Sequence, residues 1–495
     1  MGHVVALDAG TTGVRAMAVN EMGEIESIAY REFTQHFPKP GWVEHDLNEI
    51  WDRMCEVINE LATGLDGPVA AIGITNQRET AAAWDRRTGE PLHRAIVWQD
   101  RRTADVCDRL EAEGHLPLVR STTGLVLDPY FTGTKFAWLL EHGGVPVDDN
   151  LALGTIDTWL IWKLTGGAEH VTEPSNASRT LLFDIEALQW SNELCDLLGV
   201  PMAALPEVRP TSGRFGLTAD TTDLGAGIPI SGVAGDQQAA LFGQACFEPG
   251  MTKNTYGTGS FLLMNVGTTC PPPVEGLLTT VAWTLGPDQP ATYAYEGAIF
   301  VTGAAIQWLR DGLDIIDDAA EIGPLAASVP DTGDVFVVPA FTGLGSPWWD
   351  PYARGAILGL TRGTGKAELA RAVVESMAYQ TRDVVDAMTS ASGREVAELR
   401  VDGGASVMDV LLQIQADQIG VPVSRPSNQE TTALGAAYLA GLAESFWDGP
   451  EAVSGAWKLD RQFAPATDRS EADRLHRRWL EALGRSRGWA DETEA

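Results

Sequence analysis

Residues 4–19 read VVALDAGTTGVRAMAV, and this stretch decides the fold class. Its two apolar runs, 4–7 and 14–19, have the composition of buried β-strands. The segment 8–13 between them, DAGTTG, is dense in small residues and hydroxyls. A strand, a glycine-rich turn and a second strand predict a β-hairpin.

A second turn of the same character occurs in the other half of the chain. Residues 254–260 read NTYGTGS and are followed by the apolar run FLLM. One such turn in each half indicates a duplicated domain. Short β-rich runs alternate with helical stretches throughout, which predicts α/β architecture. We expect the boundary near residues 244–250, with an N-terminal domain over 1–244 and a C-terminal domain over 245–495.

Length and composition support two domains and exclude several classes of protein. The 495 residues exceed the roughly 250–300 that one hydrophobic core serves. The net charge of −33 argues against nucleic acid or an anionic membrane as the main partner, because basic surfaces bind both. Five cysteines without a CxxC pair favour neither a disulfide framework nor a structural zinc site. With no apolar run of about 18 residues, the sequence predicts a soluble cytoplasmic protein.

The second half carries a further strand-to-turn signal. Residues 399–404, LRVDGG, lead into apolar residues at helical spacing over 407–419. A strand that enters a Gly-Gly turn before a helix suits a phosphate or nucleotide at the start of the helix. The Walker loop is absent, since GTGK at 363–366 is followed by Ala367, and so is a complete dinucleotide fingerprint. Any nucleotide is therefore expected on another scaffold.

Several further stretches are hard to explain as packing alone. They are ITNQRET at 74–80, IVWQD at 96–100, DPYFTGTK at 128–135, GDQQAALFG at 235–243 and PAFTGLG at 339–345. The two turns and residues 401–405 complete the set. Each piece alone is weakly informative, whereas the ordered set is highly specific. The chain resembles the carbohydrate kinases of the actin-like ATPase superfamily, and especially the members that phosphorylate glycerol, over about residues 4–447. The resemblance implies two actin-like (ribonuclease H-like) α/β ATPase domains that flank a central cleft.

The resemblance also implies a polyol site in that cleft. A neutral triol needs hydrogen-bond partners for its hydroxyls and a flat apolar wall for its carbons. By motif position the residues that hold it would be Arg78, Glu79, Trp98, Tyr130, Asp236, Gln237 and Phe261. Arg78 and Gln237 would donate hydrogen bonds and Glu79 would accept them.

The catalytic and nucleotide-binding roles follow from the same resemblance. Asp236 matches the general base, because a carboxylate in reach of an alcohol can take its proton as the bond to phosphorus forms. Asp8 matches the carboxylate that would orient Mg²⁺ on the phosphates of ATP. The remaining nucleotide-binding positions would be Thr11, Thr12 and Arg15 in the first domain and Thr258, Gly303, Gln307 and Gly404 in the second.

The sequence departs from the family pattern in three places. The first turn has Ala9 where the family usually has Gln, and Gly13 and Val14 before Arg15 where it usually has two serines, which removes two side-chain hydroxyls near the phosphates. Met408 stands where an Asn is usual on the adenine side, so we expect ATP and GTP to be used more evenly than in typical relatives. The loop 223–227 lacks the basic residue with which some relatives bind a sugar bisphosphate, so that route of inhibition is not expected.

Each of these residues also has an ordinary structural interpretation. Arg78 and Glu79 could form a surface ion pair, and Asp236 could cap the following helix. The aromatic residues could belong to the core. Only the ordered set of motifs favours the functional interpretation.

The sequence thus predicts ATP-dependent phosphorylation of glycerol to sn-glycerol 3-phosphate. One alternative is a kinase of another small polyol or a ketose, and a second is an actin-like ATPase switch that is not a kinase. The expected partners are glycerol and ATP, without nucleic acid or membrane insertion. The resemblance further implies a homo-oligomer, either a dimer or a tetramer.

Overall fold

A computed structural model of the chain describes residues 2–490. The first half contains a six-stranded sheet and eight α-helices. Its strands are β1 (His3–Ala9), β2 (Gly13–Asn20), β3 (Ile25–Glu32), β4 (Val69–Asn76), β5 (Ser212–Leu217) and β6 (Pro229–Gly235). Its helices are α1 (Leu47–Gly64), α2 (Ala104–Ala112), α3 (Leu116–Thr123), α4 (Thr132–Glu141), α5 (Ile156–Leu164), α6 (Pro174–Ala177), α7 (Asn192–Leu198) and α8 (Asp236–Gly243).

Up to residue 490, the second half contains a seven-stranded sheet and a further seven α-helices. Its strands are β7 (Thr252–Tyr256), β8 (Ser260–Gly267), β9 (Leu278–Trp283), β10 (Thr292–Ile299), β11 (Leu399–Asp402), β12 (Val423–Pro426) and β13 (Leu459–Phe463). Its helices are α9 (Gly303–Gln307), α10 (Ile322–Ala327), α11 (Lys366–Ser392), α12 (Asp409–Ile419), α13 (Thr431–Ala443), α14 (Pro450–Ala456) and α15 (Arg469–Gly484).

Both sheets are built around a hairpin of the predicted kind. The strand order is β5-β6-β4-β1-β2-β3 in the first sheet and β9-β10-β8-β7-β11-β12-β13 in the second. The hairpins β1–β2 and β7–β8 are antiparallel, and in each the first strand also pairs in parallel with a later strand, β4 or β11. The two hairpins and the α/β fold class predicted from the sequence are confirmed.

The first sheet is covered on both faces. Helices α1 and α5 bury one face through residues such as Ile50 and Trp159, while α8 and α13 cover the other. Helix α13 comes from the second half of the chain but packs against β1, β4 and β6. Gly73 and Gly232 permit this approach, because a Cβ at either position would overlap the backbone of α13. The sequence did not indicate this crossing.

Among residues 2–490, no helix combines the length and the apolar composition that crossing a bilayer requires.

Candidate active site

The first turn carries a carboxylate with an unusual proton affinity. Asp8 stands near the end of β1, opposite Arg15 in the hairpin register. Burial raises the pKa of Asp8 from 3.8 to about 7, although Arg15 acts in the opposite direction. Arg15 Nε lies 3.9 Å from Asp8 Oδ2, and the same guanidinium pairs with Glu430, which the sequence did not single out.

The two threonines of this turn have different surroundings. The Thr11 hydroxyl accepts a hydrogen bond of 2.9 Å from Trp98 Nε1, which ties the turn to the aromatic residues of the site. Thr12 is exposed, and its carbonyl oxygen accepts from the Phe33 N–H at 3.2 Å. Thr11 therefore faces the predicted polyol site, whereas Thr12 and Arg15 lie outside the walls of the two cavities described below.

A small cavity of about 140 Å³ lies between the two halves of the chain. All seven residues that the sequence assigns to the polyol line it. The full lining comprises Thr11, Gln77, Arg78, Glu79, Trp98, Tyr130, Asp236, Gln237, Thr255, Gly257, Thr258, Gly259 and Phe261. Residues far apart in the chain thus converge on one hollow.

The topology of the first sheet explains this convergence. Strands β1, β4 and β6 are parallel neighbours, so their carboxyl ends meet at one edge, where α/β proteins bind ligands. Arg78 and Glu79 follow β4, and α8 begins at Asp236 directly after β6. The second sheet contributes Phe261 from β8.

Three aromatic rings form one wall of the cavity. The ring of Trp98 lies 5.7 Å from that of Tyr130 and 6.4 Å from that of Phe261, both edge to face. The same rings pack against a hydrophobic cluster of the first half. The core interpretation and the functional interpretation of these residues therefore hold together.

Arg78 is buried rather than part of a surface ion pair, with 2% of its surface exposed. Its Nη1 and Nη2 atoms donate to Glu296 at 2.5 and 2.8 Å, and Nη2 also donates to the Tyr130 hydroxyl at 3.2 Å. Arg78 Nε lies 3.3 Å from Asp236 Oδ1. Because these contacts with Glu296, Tyr130 and Asp236 fix the guanidinium, its remaining N–H groups point in a fixed direction.

Glu79 and Gln237 also have buried partners. Glu79 accepts from Arg179 Nε at 2.7 Å, and the Lys253 ammonium donates to the amide oxygen of Gln237. Sequence reasoning missed Glu296, Arg179, Lys253 and Glu430. None lies in a stretch with a motif signal, and each is recognisable only once the fold brings it to its partner.

Asp236 has the environment expected of a base. Burial raises its pKa above 3.8 and Glu79 adds to the rise, while Arg78 and Lys253 oppose it. The helix-cap interpretation does not hold, because the N-cap of α8 is Gly235 rather than Asp236, whose carboxylate accepts from the adjacent Gln237 N–H at 2.7 Å. A half-buried carboxylate with a raised pKa that borders a cavity is a candidate for proton transfer.

A larger cavity of about 690 Å³ lies beside the small one, in the second half. The four second-domain positions predicted for the nucleotide line it: Thr258, Gly303, Gln307 and Gly404. Met408 is also part of its wall, and Gly257 and Thr258 border both cavities. Gly403, which precedes Gly404 and follows β11, has φ +82°. A Cβ at Gly403 would overlap the backbone of Tyr256, so glycine is required at this position.

Within residues 2–490, no three His, Cys, Asp or Glu side chains are grouped so that they could hold a metal ion.

Two α/β halves with repeated hairpins and two adjoining cavities, one small and one larger, have the architecture of the two-domain actin-like kinases.

Known sequences identify the family within that class. The N-terminal domain of the FGGY family of carbohydrate kinases matches residues 3–243, and its C-terminal domain matches residues 252–444. The chain belongs to the FGGY family of carbohydrate kinases, which confirms the resemblance inferred from the motifs.

The chain is similar over its whole length to proteins named glycerol kinase. It is 55% identical to glycerol kinase 2 of Thermotoga maritima, over 99% of each chain. It is 54% identical to the glycerol kinase of Carboxydothermus hydrogenoformans, again over 99% of each. The crystal structure of Plasmodium falciparum glycerol kinase with ADP superposes with a TM-score of 0.92 at 34% identity, covering 98% of both chains.

Proposed function

We propose that this protein transfers the γ-phosphoryl group of ATP to a terminal hydroxyl of glycerol and forms sn-glycerol 3-phosphate. One observation carries the proposal: Arg78, Glu79 and Asp236 converge with an aromatic wall on a small cavity that borders a nucleotide-sized one. Full-length similarity to proteins named glycerol kinase supports the same substrate.

The small cavity, of about 140 Å³, suits a small polyol, and it adjoins a further cavity of about 610 Å³ that shares Trp98, Tyr130 and Phe261 with it. Glycerol has three carbons and three oxygens, whereas a ketopentose has almost twice as many non-hydrogen atoms. The aromatic wall suits the carbon face, and the buried charged side chains suit the hydroxyls.

The residues of the chain divide the work of the reaction. Arg78 and the Gln237 amide would donate to polyol hydroxyls, Glu79 would accept, and Asp236 would take the proton of the attacking hydroxyl. Phosphoryl transfer needs little covalent work from the protein, so positioning and charge stabilisation dominate catalysis. A cleft between two domains can also close and exclude water, which would otherwise consume ATP.

Mg²⁺ fits the residues of the first turn. The raised pKa of Asp8 reflects a partly buried carboxylate whose charge is not fully compensated, and a divalent cation would stabilise its ionised form. Asp8 would hold the ion together with the phosphates of ATP, and the ion would supply charge neutralisation there. Thr11, Thr12 and Arg15 remain the proposed phosphate-side residues of the first domain.

Four residues are proposed to hold the nucleotide in the second domain: Thr258, Gly303, Gln307 and Gly404. Met408 offers the base an apolar and adaptable contact, so more even use of ATP and GTP stays a prediction. The domain limits 1–244 and 245–495, a homo-oligomer, and a cytoplasmic location likewise stay predictions.

A coupled ADP-release assay tests the proposal. With MgATP, we expect rapid ADP formation with glycerol and much less with dihydroxyacetone, erythritol or xylulose. Preference for one of the latter would instead identify a kinase of another polyol or ketose. ADP release at the same rate with no polyol would support an ATPase switch.

A further inference from the structure

Three of the polar side chains proposed to bind the polyol each have a buried charged residue behind them. Three such residues form a layer beneath the cavity, which we call the charged layer. The pairs are Arg78 with Glu296, Glu79 with Arg179, and Gln237 with Lys253. All three members of the layer are fully buried, and none of them is part of the cavity lining.

Glu296 is the centre of this layer. It holds Arg78 by two hydrogen bonds of 2.5 and 2.8 Å, and its Oε1 also accepts from Arg179 Nη2 at 3.0 Å. Burial acts to raise the pKa of Glu296, but the guanidiniums of Arg179 and Arg78 hold it at about 2. The carboxylate is therefore charged throughout the physiological range and bridges two arginines that would otherwise repel each other.

Lys253 fixes the orientation of an amide. Its ammonium donates to Gln237 Oε1, to the Thr255 hydroxyl at 2.8 Å and to the carbonyl oxygen of Phe261 at 3.2 Å. Because the amide oxygen of Gln237 is engaged by a cation, its NH₂ group is the end that remains for a ligand. The amide is thereby set as a donor toward the cavity.

The layer also joins the two halves of the chain. Glu296 lies on β10 and Lys253 on β7, both in the second sheet, whereas Arg78 and Gln237 belong to the first half. The polyol ligands of one half thus take their orientation from charged groups of the other. Side chains positioned by such buried contacts are held in one geometry, which substrate discrimination requires.

We infer that Glu296, Arg179 and Lys253 are positioning residues, which hold Arg78, Glu79 and Gln237 in the geometry that recognises the hydroxyls of the substrate. This inference rests on the proposed polyol kinase function. It predicts that loss of the layer weakens polyol recognition without touching nucleotide recognition.

Glu296→Gln is the first test. The variant should raise KM for glycerol by about 10-fold or more and leave KM for ATP within about twofold, because only the polyol ligands lose their support. It should also reduce the preference for glycerol over 1,3-propanediol by about 10-fold, since the groups that read the missing hydroxyl are no longer held. A purely structural lesion would lower the active fraction and leave this ratio unchanged.

Glu375→Gln is the matched control. Glu375 is a buried carboxylate of the second half that is held by Arg371 Nε at 2.8 Å and by the Tyr379 hydroxyl at 2.9 Å. Its variant should share any loss of thermal stability but keep the wild-type KM for glycerol. Unfolding temperatures of all variants, measured by calorimetry, separate the two effects.

Lys253→Met keeps the inference testable if Glu296→Gln does not fold. It removes the cation that holds Gln237, together with its hydrogen bonds to Thr255 and Phe261, and we expect the same rise in KM for glycerol with KM for ATP preserved. Folded variants with unchanged KM and an unchanged glycerol to 1,3-propanediol ratio would overturn the inference. A wild-type enzyme that is inactive on glycerol would instead overturn the proposed function.

Discussion

Asp236 combines a raised proton affinity with a position at the polyol cavity, and a base needs both. Asp236→Asn preserves the shape of the side chain but cannot accept the proton of an alcohol. We expect kcat to fall by about 10²–10⁴, while KM for glycerol changes less. Asp157→Asn is a suitable control, because Asp157 is fully buried and accepts from the hydroxyls of Thr155 and Thr172 away from the cavity. Steady-state kinetics with near-normal turnover in Asp236→Asn would remove the base assignment.

The same carboxylate predicts the pH dependence of the reaction. Burial raises the pKa of Asp236, and only the deprotonated form can accept a proton, so activity falls as the pH drops through that raised value. The acid limb of kcat/KM for glycerol, measured at saturating MgATP, should lie above the ordinary aspartate range of about 3.9. The residual activity of Asp236→Asn should lack this limb. A wild-type profile that stays flat down to about pH 4 would contradict the prediction.

The sequence could predict the residues that face the substrate but not those behind them. Arg78 and Asp236 lie in stretches that resemble a family, and all seven predicted polyol residues line one cavity. Glu296 and Arg179 lie outside any recognisable sequence motif. Their contacts with Arg78 and Glu79 form only because the fold brings distant segments of the chain together. Pairing between distant segments is a property of the fold, and a single sequence does not encode it in a local pattern.

At the scale of elements, the crossing of α8 and α13 depends on glycine. A Cβ at Gly435 of α13 would overlap the carbonyl oxygen of Ala239 in α8. Gly435→Ala should therefore force the helices apart and lower the free energy of unfolding by roughly 1–3 kcal/mol, despite the better helix propensity of alanine. The measurement is chemical denaturation followed by circular dichroism.

Gly455→Ala is the corresponding control. Gly455 lies in α14 with no atom within 4 Å of a built Cβ, so alanine should leave stability unchanged or raise it by up to about 1 kcal/mol. Equal stability changes in the two variants would show that the α8–α13 contact is not under steric constraint.

Elements with strong local patterns were predictable, and α13 was not. Apolar runs around glycine-rich turns predict the hairpins β1–β2 and β7–β8, and the structure confirms both. Helix α13, by contrast, is apolar on nearly every side, so its sequence gives no direction in which to pack. It packs on the first sheet because Gly73 and Gly232 leave room for its backbone, and not because its apolar residues follow a helical period.

At the scale of the whole molecule, the net charge of −33 opposes the approach of one substrate but not the other. MgATP is an anion and glycerol is neutral, so long-range repulsion slows only the nucleotide. Salt screens charges beyond about 10 Å at 0.1 M, whereas the contacts within the buried site are screened much less.

Raising KCl from about 0.05 to 0.5 M should therefore increase kcat/KM for MgATP by about two- to fivefold. The value of kcat/KM for glycerol, measured at saturating MgATP, should stay constant and serves as an internal control. If attraction by positively charged side chains near the nucleotide site dominated instead, kcat/KM for MgATP would fall as the salt concentration rises. The sign of the salt effect in steady-state kinetics thus decides whether the acidic surface or the local site controls nucleotide capture.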